Sequence, residues 1–270
     1  MKTHRGIAHF TRRVQQTPVL FRNFPGVFRD LVLAGTPWSP REMTFRMRNG
    51  YTVVTPNADG ARFPLYEIFA DDAYRLEELF DGVDPDAAIL DVGGQIGSFS
   101  LASARAMPQA RVHVYEASPT SADYVMRNVE ANNLGSQVTV HPKALSGEKG
   151  TFTFVDSGTA SGHNGLTAPE GLGEEVTVDC ETFDNAVEAA GGNVQVVKMD
   201  VEGAEYDIIL RSNPSSWKDV RKVVIEYHPV SGHSLEELTR YFAAVGITPT
   251  RHYPGLRAGL GLMWLDRTAS

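Results

Sequence analysis

From Ala87 onward, β-rich apolar runs alternate with helical patterns, and this alternation restricts the possible folds more than any other feature of the chain. Strands are expected at 88–92, 111–115 and 138–142, separated by helices at 98–106 and 119–132. Repeated βαβ units of this kind build a parallel sheet covered by helices on both faces. A surface strand at 151–155, a glycine-rich loop at 158–173 and a strand at 176–180 follow, with a helix ending at Gly191-Gly192. A buried strand at 194–199, a helix at 204–211 and a strand at 222–227 come next. The helix at 235–245 opens on a capping box, Ser234 with Glu237, and closes on Gly246. Strands at 247–252 and 260–265 are joined so briefly that the last must run antiparallel. The expected fold is α/β, a seven-stranded doubly wound sheet with an antiparallel last strand. Ligands in such sheets sit beyond the carboxyl ends of the strands, so chemistry belongs just after Val92, Tyr115, Met199 and Tyr227.

Residues 1–85 are expected to form a helical arm and a β-hairpin extension, with the main domain at 86–270. Short helices interrupted by Pro18 and Pro25 are predicted before residue 35, and Asn49-Gly50 between two alternating runs predicts a hairpin over 43–54. A helix is predicted over 65–80. Residues 1–50 hold nine Lys or Arg against two acidic residues, leaving 16 against 31 for the remainder and a net charge of −8. An acidic body argues against a nucleic-acid footprint, and the basic arm reads as the solvated face of amphipathic helices. No apolar run is long enough for a membrane span, and no secretory signal is read at the N-terminus. One cysteine, Cys180, permits neither an intrachain disulfide nor a paired-cysteine zinc pattern. A cytoplasmic protein is expected, and homo-oligomerisation is left open.

The strand at 88–92 ends in Asp91-Val92-Gly93-Gly94-Gln95-Ile96-Gly97 and turns into a helix at Ser98, a geometry suited to a nucleotide-like ligand. The dinucleotide fingerprint G-x-G-x-x-G fails here, because Gln95 and Ser98 stand at its second and third glycine positions. A pyrophosphate would be repelled by the Asp91 carboxylate, whereas the ammonium of S-adenosylmethionine would be attracted. Glu116, at the end of the second strand, is placed to accept hydrogen bonds from both ribose hydroxyls, with Ala117 beside it. Adenine contacts are expected from the backbone at Lys143, Ala144 and Leu145. The cofactor set is thus Asp91, Gly93, Gln95, Gly97, Ser98, Glu116, Ala117, Ala144 and Asp200.

These segments, together with Val197-Lys198-Met199-Asp200-Val201-Glu202-Gly203-Ala204-Glu205, resemble the FkbM family of methyltransferases. The similarity spans roughly residues 45–266. The family more usually has Ala and Asn where this chain has Gly94 and Gln95. The resemblance implies a class I, Rossmann-like methyltransferase fold, S-adenosylmethionine dependence and, commonly, hydroxyl acceptors on sugars or secondary metabolites.

Methyl transfer is an in-line displacement that needs an aligned acceptor and a proton acceptor. Asp200 or His228 is the expected base, with Glu226 orienting the acceptor or the imidazole. Tyr66, His163, Asn164 and Glu202 are expected to touch the acceptor, with Tyr74 a further candidate and His163 a second candidate base. The competing structural reading pairs Lys198 with Glu202, makes Glu205 a helix cap and leaves His228 in a loop before Pro229. Carboxylates with one imidazole also suit magnesium or manganese, but no ligand-spacing motif accompanies them, so divalent metal binding is the runner-up use of this cluster and no metal ligands are assigned. O-methylation of a small molecule leads. N- or carboxyl-methylation on the same fold, a nicotinamide-dependent oxidoreductase and a non-catalytic nucleotide-binding module remain as alternatives.

Overall fold

A computed structural model describes residues 2–58, 60–156, 174–255 and 259–268, without the side chains of residues 2–10 and Val155. The chain begins with helices α1 (Lys2–Leu20) and α2 (Phe24–Val32) and the hairpin β1 (Glu42–Arg46) and β2 (Thr52–Pro56). Two short helices, α3 (Phe63–Phe69) and α4 (Leu76–Leu79), lead to β3 (Ala88–Val92), α5 (Ser98–Ala106) and β4 (Arg111–Tyr115). Next come α6 (Pro119–Ala131), β5 (Val138–His141), β6 (Ala144–Leu145), β7 (Gly150–Asp156) and β8 (Glu174–Glu181). The chain continues through α7 (Phe183–Ala189), β9 (Val194–Met199), α8 (Glu205–Arg211) and β10 (Lys222–Tyr227). It finishes with α9 (Leu235–Ala244), β11 (Ile247–Pro254) and β12 (Gly261–Arg267).

The main sheet has the order β11-β12-β10-β9-β3-β4-β5. Strands β10, β9, β3, β4 and β5 are parallel, and β12 runs antiparallel to both of its neighbours. The sheet is therefore the seven-stranded, doubly wound arrangement expected. Strand alternation divides its side chains between two cores. Leu90, Val197, Val223 and Leu265 face one side with α7, α8 and α9, while Ile89, Val196, Val224 and Trp264 face the other with α5 and α6. A second sheet, β6-β8-β7, takes the runs around 151–155 and 176–180 out of the main sheet.

The hairpin appears where Asn49-Gly50 placed it, with Phe45 opposite Val53 and Gly50 at φ +102°. Asn128 of α6 and Asn132, which caps its C-terminal end, hold the hairpin against that helix. Val54 N–H donates to Asn128 Oδ1 at 2.7 Å and Thr52 N–H donates to Asn132 Oδ1 at 2.8 Å. The two amides in turn donate to Val54 O and Thr52 O. Phe21, Phe45 and Tyr66 form a third apolar cluster that also includes Ile96, Leu101 of α5 and Tyr124 of α6.

Two local expectations are corrected. Helix α1 runs through Pro18, which costs the ladder the bond that residue 18 would donate to the Val14 carbonyl, and the helix ends two residues later at Leu20. The single helix expected over 65–80 is instead broken between α3 and α4, where Asp72 (φ +47°) and Arg75 (φ +50°) are left-handed. Asp72 Oδ1 then accepts Leu76 N–H at 3.0 Å and starts the second piece.

Candidate active site

The turn after β3 is shaped by close approach. A Cβ on Gly93, at φ +82°, would lie 1.8 Å from the carbonyl oxygen of Asp200, so no side chain fits there. At Gly94 a Cβ would come within 2.2 Å of Val114 Cγ1. The alanine more usual in the resembling family therefore requires a shift at Val114. Gly97 (φ +84°) starts α5 against Val125 and serves packing, away from the cavity wall.

Parallel pairing of β3 with β9 sets Asp91 beside Lys198. Lys198 Nζ lies 3.2 Å from Asp91 Oδ1 and donates to Gly93 O at 2.5 Å. Ser100 Oγ donates to Asp91 Oδ2 at 2.6 Å. Burial lowers the pKa of the Lys198 ammonium, but the Asp91 and Asp200 carboxylates outweigh it and the net shift is upward. Asp91 is fully buried and takes no part in the cavity wall. It was expected to face the cofactor's ammonium, and it braces the glycine turn from beneath instead. Lys198 pairs with Asp91, not with Glu202.

Above the turn opens a cavity of about 1660 Å³. That exceeds the span of about 300–1000 Å³ usual for one ligand and suits a reaction of two. At one end stand Gly93, Gln95, Ser98, Glu116, Ala117 and Ala144. Glu116 accepts Gln95 N–H at 2.7 Å on one carboxylate oxygen and Ser118 N–H at 2.8 Å on the other. Burial nevertheless pushes its pKa up to about 7. Ser98 Oγ is buried without a hydrogen-bond partner among the described residues, at the start of α5 and on the cavity wall.

At the other end Asp200, just beyond β9, and Glu202, in a left-handed turn at φ +51°, meet Glu226 of β10 and His228 just past it. His228 Nε2 lies 3.3 Å from Glu202 Oε2 and 4.0 Å from Glu226 Oε1. Its Nδ1 lies 2.8 Å from Oε1 of the fully buried Glu205. That oxygen also accepts from Val201 N–H and Gly203 N–H, which ties the imidazole to the turn before α8. Burial lowers the His228 pKa, but Glu205, with Glu202 and Asp200, reverses the sign and brings it to about 9. Burial pushes Glu202 and Glu226 up to about 7 and raises Asp200 as well.

The four titratable residues expected after β9 and β10 thus converge. Tyr66 does not join them. Its hydroxyl pairs with Thr17 Oγ1 at 2.9 Å beneath α1, and its ring packs edge-on against Phe21 at 5.6 Å. The cavity wall is taken by Glu67 and by Tyr74, whose ring meets Phe99 edge-on. His163 and Asn164 lie outside the described residues. Glu205 and Glu67 were not singled out as site residues. The only sequence signal for Glu205 is its place in the run from Val197, and the only one for Glu67 is its place inside the 45–266 span of the resemblance, next to Tyr66.

With this geometry in place, comparison with known proteins is specific. Residues 91–247 match the model of the methyltransferase FkbM domain. Methyltransferase sdnD of Sordaria araneosa is 29% identical over 202 residues, covering 64% of this chain and 76% of its own. The 31-O-demethyl-FK506 methyltransferase FkbM of Streptomyces tacrolimicus is 28% identical over 248 residues, covering 80% and 93%. The crystal structure of methyltransferase FkbM from Methylobacillus flagellatus KT aligns at a TM-score of 0.46 and 15% identity, over 77% of this chain and 55% of that one. The chain belongs to the FkbM family of S-adenosylmethionine-dependent methyltransferases.

Proposed function

We propose that the protein transfers the methyl group of S-adenosylmethionine to a hydroxyl oxygen of a small molecule. One observation carries the reading: the glycine turn with Glu116 and the cluster around His228 open onto a single cavity. Glu116 holds lone pairs toward the ribose hydroxyls, and Ser98 Oγ is a donor for the methionine carboxylate. Asp200, Glu202, Glu226 and His228 surround the place of the acceptor. In the transfer, the acceptor oxygen bonds to the methyl carbon, the carbon–sulfur bond breaks with its electron pair left on sulfur, and a carboxylate of this cluster receives the hydroxyl proton. A carboxylate acceptor would meet like charge at this end. The relative from S. tacrolimicus bears the name of an O-demethyl acceptor, in agreement with oxygen as the nucleophile.

The test is a labelled-methyl assay against glycosides, macrolides and phenols, with product mass and methyl position determined. Label on oxygen is expected. Thermal-shift measurements run beside it should show stabilisation by S-adenosylhomocysteine, and stabilisation by NAD alone would overturn the reading.

A further inference from the structure

We propose that the acceptor end of the cavity binds one divalent cation, of the manganese or magnesium class, on Asp200, Glu226 and His228. Its catalytic role rests on the methyltransferase reading above, while its geometry does not. One ligand atom from each residue lies within 4.8 Å of the other two. A hard divalent cation holds its ligands at about 2.0–2.6 Å, so atoms on opposite sides of it stand about 4–5 Å apart. The set is mixed, two carboxylates and one imidazole, and it comes from the ends of neighbouring parallel strands, which hold it rigidly. Three protein ligands leave coordination positions for the acceptor oxygen and water.

A second observation lies behind the ligands. Glu205 is fully buried, and its Oε2 has no hydrogen-bond partner among the described residues. Its Oε1, 2.8 Å from Nδ1, accepts the imidazole N–H and leaves Nε2 directed at the Glu202 and Glu226 carboxylates. A carboxylate behind an imidazole is the usual support of a metal-bound histidine, fixing its tautomer and raising its basicity. Charge points the same way. Asp200, Glu202, Glu205 and Glu226 surround one imidazole, and the nearby Lys198 is already held by Asp91 and the Gly93 carbonyl. A cation compensates this concentration of carboxylates where burial makes it costly. No single spacing motif announces the site, because Asp200 comes from the end of β9 and Glu226 and His228 from the end of β10.

Bound there, the cation would take the acceptor hydroxyl as a ligand and lower its pKa. The O–CH₃ bond forms, the CH₃–S bond breaks with its electron pair on sulfur, and the hydroxyl proton passes to Glu202 and then to solvent.

The experiment follows free Mn²⁺ by electron paramagnetic resonance during titration of the full chain with S-adenosylhomocysteine present. Uptake of one Mn²⁺ per chain, displaced by Mg²⁺, is expected. Glu226→Gln and Asp200→Asn should each weaken uptake by about 10-fold or more, and Glu205→Gln by about 10-fold through the imidazole it supports. Calorimetry with S-adenosylhomocysteine on Glu226→Gln should show unchanged cofactor affinity and so a folded variant. No uptake at millimolar Mn²⁺, or uptake unaltered by the ligand substitutions, overturns the proposal. Mn²⁺ uptake decides the cation in every case, and cofactor calorimetry on the wild type separately decides the cofactor reading.

Discussion

The two ends of the cavity are built on opposite principles. At the cofactor end every charge is answered by a fixed partner: Asp91 by Lys198 and Ser100, Glu116 by the amides of Gln95 and Ser118. At the acceptor end four carboxylates crowd one imidazole, and only Glu205 is held by backbone amides. A cofactor of constant shape can be met by a rigid backbone, whereas a proton in transit needs groups whose charge changes near neutrality. The difference predicts that substitutions at the cofactor end damage folding first, while those at the acceptor end spare the fold.

The largest effect expected is at Lys198. Lys198→Met leaves Asp91 buried and unpaired, at a cost of roughly 3–5 kcal/mol in denaturant unfolding. The double variant Lys198→Met with Asp91→Asn should recover much of that loss. Equal destabilisation of the single and double variants would refute the pairing and with it the contrast between the two ends. Next comes Gly93→Ala, which forces a Cβ onto the Asp200 carbonyl in a left-handed backbone. A loss of roughly 3 kcal/mol and of S-adenosylhomocysteine binding is expected. Gly35→Ala has a similar φ of +79° with open space around it and should lose only about 1 kcal/mol.

Much of this contrast was legible in the sequence at the cofactor end and little at the acceptor end. The strands, the glycine turn and Glu116 follow from local signals: alternation, small residues at a turn, and spacing along one βαβ unit. The partner of Asp91 does not, because it is set by the register of two parallel strands joined by no short connection. Glu205 reads locally as a helix cap, and its second role appears only when β10 delivers His228. Tyr66 lies away from the cavity, where Tyr74 stands, for a related reason. A continuous helix over 65–80 presents Tyr66 and Tyr74 together, but the break at Asp72 and Arg75 sends them into different surroundings.

Glu116 sharpens the comparison through pH. Burial disfavours the charge and pushes its carboxyl up to about 7 in the folded protein, from an ordinary value of 4.5. The folded state therefore retains this proton longer than the unfolded state does. The group's contribution to the stability of the unliganded protein falls as pH rises from 4.5 toward 7. Ribose hydroxyls need the deprotonated form with its full set of acceptors, so S-adenosylhomocysteine affinity should weaken as pH drops below about 7. Glu116→Gln should bind about 10-fold more weakly at pH 8 and lose this part of the pH dependence. Calorimetry over pH 5.5–8 checks both, and a variant with the wild-type slope would remove Glu116 from the ribose site.

The smallest expected effect separates the tyrosines. Tyr66→Phe removes a buried hydroxyl paired with Thr17 at 2.9 Å, but Thr17 Oγ1 still donates to Arg13 O at 2.6 Å and is not orphaned. The cost should be about 1 kcal/mol of stability, because one neutral hydrogen bond is lost and the ring stays in place. Methyl transfer, measured as kcat at saturating cofactor, should be unchanged. Tyr74→Phe should behave in reverse. Its hydroxyl belongs to a residue on the cavity wall, and its ring packing on Phe99 survives the substitution. Stability should stay within about 0.5 kcal/mol of wild type while KM for the acceptor rises. If Tyr66→Phe altered turnover and Tyr74→Phe altered only stability, the acceptor end would have to be redrawn beneath α1.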